Sequence, residues 1–100
     1  MSRPATVPAP VLQDGTRVRL HAFNGSTQPP AGVRDAENYW RLIGQAGTVL
    51  GYEPALGRYL VQLDVDVQAL GLHCHNPVRD SLYLRGADLV PQAGTQAPPP

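Results

Sequence analysis

Lysine is missing from this chain of 100 residues. All eight of its basic side chains are arginine, and eight carboxylates balance them to a net charge of zero. Guanidinium forks onto carboxylates and stacks on rings where ammonium does not, but abundant Ala, Gly and Pro make GC-rich coding the simpler origin of the bias. A neutral chain lacks the diffuse positive field behind non-specific nucleic-acid affinity, so neither a nucleic-acid partner nor a histone-like or coating role is expected. The single cysteine cannot form an internal disulfide framework, and nothing indicates an oxidising compartment. No run approaches the ~20 apolar residues of a membrane helix. The start, Met1-Ser2-Arg3-Pro4, has no apolar core of a secretory signal. A soluble, cytoplasmic chain is expected.

Ten glycines and eleven prolines are present, and the prolines gather at the ends. Pro4, Pro8 and Pro10 precede Val11, and Pro98, Pro99 and Pro100 close the chain. Such segments bury too little apolar surface to offset their ordering entropy. Residues 1–11 and 92–100 are therefore expected as disordered flanks around one domain at 12–91. The tail can be read as a polyproline ligand or as a solubilising extension, the composition favouring the second.

Between the flanks the hydrophobic period is mostly two. Val18, Leu20 and Ala22 alternate with Arg17, Arg19 and His21, which predicts a strand after the turn signal Asp14-Gly15. Ala46 to Tyr52 and Arg58 to Val65 predict two more strands around a turn at Glu53 to Gly57. Leu70 to Cys74 and Leu82 to Leu84 read as shorter ones. Ala87 to Leu89 fits one tight helical turn, and Val90 a last brief pairing. The exception is Asp35 to Ile43, where Ala36, Tyr39, Trp40 and Ile43 fall at helical spacing. Asp35 is an acceptable N-cap and Gly44 a left-handed C-cap, so a short helix is expected in the first long loop. Five or six short strands and one short helix make an all-β, partly open barrel.

The run Gly47-Thr48-Val49, then Gly57-Arg58-Tyr59-Leu60-Val61-Gln62-Leu63, then Leu84 to Pro91, resembles small SH3-like barrel proteins of bacteria. The resemblance spans about Val18 to Pro91 and implies a barrel closed by a turn of 3₁₀ helix and a final strand. SH3-like barrels serve as peptide readers, RNA-associated modules and accessory domains, so the resemblance assigns no single role. The acidic cluster and closely spaced tyrosines of proline-binding SH3 domains are absent from the first loop, and proline-ligand binding is not implied.

Two segments carry candidate chemistry. Tyr39-Trp40-Arg41 combines apolar area with polar handles, the composition of a partner-binding anchor, while the spacing to Ile43 places at least one ring in the core. His73-Cys74-His75, read as strand, puts both imidazoles on one face, where they can chelate a metal ion with Cys74 behind them. His21, Asp64 and Asp66 are the available further ligands, and two exposed imidazoles beside a core thiol are the alternative. As a nucleophile, Cys74 is poorly served, because its neighbouring histidines project away and only His21 could act as base. Asp64 and Asp66 could hold a hard cation with Glu53, but the oxygens and the glycine of a calcium loop are lacking. No acid–base pair, activated nucleophile or phosphate-cradling loop is evident, so neither enzymatic activity nor a cofactor is expected. The reading is a small interaction or accessory module that docks a protein partner around Tyr39 and Trp40. The alternative is a metal-binding domain using His73 and His75. An RNA role would require Arg17, Arg19, Arg58 and Arg85 to converge.

Overall fold

A computed structural model describes residues 12–92. Five strands form one antiparallel sheet: β1 (Arg17–Leu20), β2 (Ala46–Glu53), β3 (Arg58–Leu63), β4 (Ser81–Leu84) and β5 (Leu89–Pro91). Their order across the sheet is β4-β3-β2-β1-β5. The first four strands run as a meander, and the last returns to the free side of the first. The all-β expectation holds, with strands at the lower of the two expected numbers. The sheet is open, with β4 and β5 as its edges. Among the described residues, no helix is long and apolar enough to cross a membrane. The expected flanks lie outside the described residues except for Gln92, whose backbone N–H donates to the Arg17 carbonyl at 2.9 Å.

Alternation decides which face of the sheet is covered. Val18, Leu20, Val49, Val61, Leu63, Leu84 and Leu89 turn inward and are buried, while Arg17, Arg19, Thr48 and Gln62 turn outward. Leu42, Val67 and Leu72 come from the connecting loops and close the other side of this core. Gly47 answers to space rather than to backbone freedom. A Cβ there would lie 2.6 Å from the Gln62 carbonyl oxygen and 2.9 Å from a Val61 methyl. A register shift between Val49 and Gly51 bends β2, and beyond it Tyr52 stands opposite Tyr59 with ring centroids 4.8 Å apart.

Both sheet edges are blunted. On β4 the Ser81 carbonyl accepts from Asn76 Nδ2 at 2.8 Å and from Cys74 Sγ at 3.3 Å, and the Tyr83 carbonyl accepts from Arg58 at 3.3 Å. On β5, a strand of three residues, Pro91 has no N–H to offer.

Two expected elements are corrected. The single helix from Asp35 to Ile43 is absent, and two 3₁₀ turns replace it, Asp35–Glu37 and Tyr39–Leu42. They are interrupted at Asn38, and Arg34 rather than Asp35 stands at the N-cap, with no side-chain cap bond. So short a helix would be marginal by itself, and tertiary bonds hold the segment in its tighter form. Tyr39 Oη donates to the His73 carbonyl at 2.7 Å, and Arg41 donates to the Leu70 carbonyl at 2.9 Å. Gly44 does take the left-handed conformation, at φ 96°. The expected strand from Leu70 to Cys74 is also absent. Gln68–Leu70 is a 3₁₀ turn ended by Gly71 at φ 80°, and the chain then crosses to the first loop, where the His73 N–H donates to the Ala36 carbonyl at 2.9 Å. β3 stops at Leu63, so Asp64 and Asp66 follow the strand instead of sharing its outer face.

Candidate functional site

The crossing of the first loop by the segment around His73 leaves a groove of about 450 Å³. Phe23, Tyr39 and Trp40 supply aromatic wall, and Val33 supplies a small aliphatic patch. Asn24, Glu37, His73 and His75 supply the polar rim. The two candidate segments of the sequence, one aromatic and one histidine-rich, thus meet in one place. Their meeting rests on loop-to-loop hydrogen bonds and not on the helix and strand that the spacing predicts.

Phe23 is the residue that organises the wall. Its ring lies 4.8 Å from that of Trp40 at an interplanar angle of 80°, and 5.6 Å from that of Tyr39 at 44°. Edge-to-face contact of this kind adds stabilisation beyond the area buried. Phe23 is held by a miniature hairpin, exchanging backbone bonds with Ser26 at 2.8 and 3.1 Å. Its two-residue turn is Asn24-Gly25, both at positive φ (51° and 79°), as a type I′ turn requires. Asp88, buried in the turn before β5, accepts the Gly25 N–H at 3.1 Å and pins this hairpin to the sheet. Phe23 and Asp88 were not among the candidates from sequence. The Asn-Gly pair was the local signal for the first; the second had none.

Trp40 is half-buried, so it both packs and lines the groove. Its indole Nε1 and the Asn38 Oδ1 are buried with no hydrogen-bond partner among the described residues. Burial pushes the Tyr39 hydroxyl above its usual pKa, and the Glu37 carboxylate and Cys74 add to that rise. Arg41 braces the outer side of the loop through Leu70 and does not line the groove.

The His73 and His75 rings are in edge contact, with centroids 5.2 Å apart. No third donor completes them: among the described residues, no group of three or more His, Cys, Asp or Glu side chains is placed to hold a metal ion. His21 is engaged elsewhere, with Nε2 2.7 Å from the Ala87 carbonyl. Asp64 takes a two-pronged ion pair with Arg17, which holds its carboxyl below the usual range. Asp66 is likewise held low, first by the Ala69 N–H at 3.0 Å and then by Arg79 at 3.2 Å. Glu53 accepts the Ala55 N–H of its own turn. Cys74 donates to the Ser81 carbonyl and is half-buried.

Arg17 and Arg58 do not converge. Arg17 pairs across the sheet with Thr48, whereas Arg58 pairs with Glu53 at the far end of β2 and donates to Asn24 Oδ1 at 2.9 Å. Arg19 donates to the Gly44 carbonyl. No known family model matches this chain, and no curated protein sequence matches it.

Proposed function

We propose that this chain is a small, non-enzymatic interaction module of SH3-like type that docks a protein partner in the groove beside Tyr39 and Trp40. The reading rests above all on one observation: the first loop and the His73 segment converge on a concave site with an aromatic wall and a polar rim. Anchors of protein interfaces have that composition. The strand order, the 3₁₀ turn at Gly86–Asp88 and the return of β5 to β1 support the barrel part of the reading.

Photocrosslinking tests it. A benzophenone amino acid in place of His75, at the groove rim, is expected to give one discrete partner adduct in the native host. The same group in place of exposed Asp14, before β1, is expected to give none. Val33→Arg, which puts charge into the groove without touching the buried core, should abolish the adduct. Identical adducts from both positions, or adducts that survive Val33→Arg, would remove the groove as the docking site.

The second reading, metal binding by His73 and His75, is favoured only by the contact of their rings. Zinc titration followed by imidazole resonances decides it. Shifts at His73 and His75 no larger than at His21 reject the metal.

A further inference from the structure

We infer that the groove receives the ε-ammonium head of a lysine side chain presented by a partner polypeptide. This rests on the docking reading above and names the chemistry of its occupant. Three observations carry it: the shape of the aromatic wall, the charge at its rim, and the apolar patch beside it.

An aromatic face carries negative quadrupole density, and a cation held against it is attracted electrostatically. Phe23 and Trp40 stand nearly perpendicular, at 80°, and Tyr39 lies tilted against Phe23. The three rings therefore make a corner rather than a parallel slot. A planar guanidinium gains most by lying flat on a ring face, whereas a compact ammonium needs no flat surface to lie along. Among the described residues, Glu37 is the one Asp, Glu, Lys or Arg side chain on the lining, so the formal charge there, with His73 and His75 neutral, is negative. Its influence reaches the wall, since it contributes to the raised pKa of Tyr39. Among the described residues, the cation paired with Glu37 is Arg34, at 3.5 Å, with the Arg34 side chain mostly and the Glu37 side chain about half in solvent. Exposed pairs of this kind are weak and screened by salt, so an incoming ammonium can share or displace this one. Val33 and the ring edges offer apolar surface along which a lysine's methylene stem can lie.

The test uses the full chain and its own reporter, because Trp40 is the only tryptophan. Nα-acetyl-lysine methylamide is titrated at constant ionic strength, beside its norleucine and arginine counterparts, with Trp40 emission as the readout. Lysine is expected to bind about two- to fivefold more tightly than norleucine, the range that an exposed cation–π contact supports. Glu37→Gln should weaken lysine by a similar factor, leave norleucine unchanged and leave the melting temperature unchanged. Equal binding of lysine and norleucine overturns the ammonium while leaving an apolar docking groove. Tighter binding of arginine than lysine overturns it too. If no probe perturbs Trp40 but the adduct at position 75 forms, the lysine assignment falls and docking stands. If neither occurs, both fall.

Discussion

Trp40 shows how one side chain can pack against a neighbour and line a groove at once. Part of its ring is packed against Phe23, part is open to the groove, and its N–H is buried without an acceptor among the described residues. An unpaired buried donor costs roughly 1–3 kcal/mol, which sets the two obvious substitutions apart. Trp40→Phe keeps an aromatic ring beside Phe23 and removes the stranded donor, so a stability change below about 1 kcal/mol is expected in urea unfolding. Trp40→Ala removes the ring contact altogether and should cost about 2 kcal/mol, short of the full cost of a wholly buried aromatic. If the two variants unfold alike, the packing role of the ring is refuted. Asp88 offers a second case. Asp88→Ala releases the Gly25 N–H and should cost about 1–3 kcal/mol while shifting the Phe23 ring resonances. Unmoved Phe23 signals would show that the Asn24-Gly25 turn holds itself. At this scale the sequence was half legible. Tyr39 and Trp40 announce themselves by residue type, and Asn24-Gly25 is a turn signal, yet its role as a clamp on Phe23 depends on Asp88, 63 positions away.

Among the elements, those built on alternation were readable and those built on loop crossings were not. β1, β2 and β3 begin where the alternating apolar residues place them, because the pattern and the buried face have the same cause. Gly47 adds a second constraint that the pattern only hints at. Gly47→Ala should cost about 1–3 kcal/mol through overpacking against the Gln62 backbone, a neighbour that cannot swing aside. A melting temperature equal to that of the parent chain would mean that β2 and β3 can separate locally at no cost. The segments 35–43 and 70–74 resisted reading for one shared reason. Each has too few residues to dictate its own backbone, and the hydrogen bonds of Tyr39, Arg41 and His73 bind them to each other. Helical spacing at Ala36, Tyr39, Trp40 and Ile43 was genuine, but 3₁₀ turns serve nearly the same spacing.

Neutrality of the whole molecule conceals a local order in its charges. Arg17 holds Asp64, and Arg79 together with the Ala69 N–H holds Asp66, so both carboxyls titrate below their ordinary value of 3.8. A carboxyl whose pKa is lower when folded than when unfolded binds its proton more readily in the unfolded chain. The stability it supplies is complete above the unfolded value and drains away as the pH falls through the folded one. The urea midpoint is therefore expected to hold between about pH 7 and pH 5 and to drop below about pH 4. Asp64→Asn should lower the midpoint at neutral pH and reduce the size of the acid drop. A variant that falls as steeply as the parent would take Asp64 out of the acid response. Both pairs are partly open to solvent, so added salt should shrink the difference between variant and parent.

The pairing of β5 with β1 reaches beyond the finished molecule into the way it is made. Leu20 meets Leu89 and Arg19 meets Val90, so β1 receives one of its two neighbours from a strand synthesised well after it. Until β5 is made, the nascent chain carries β1 with that side bare, next to Val18 and Leu20 whose apolar faces are not yet covered. Another nascent copy on the same messenger presents the same bare strand. Crowded polysomes, rather than the mature protein with its blunted edges, are where this chain is most exposed to pairing with the wrong partner.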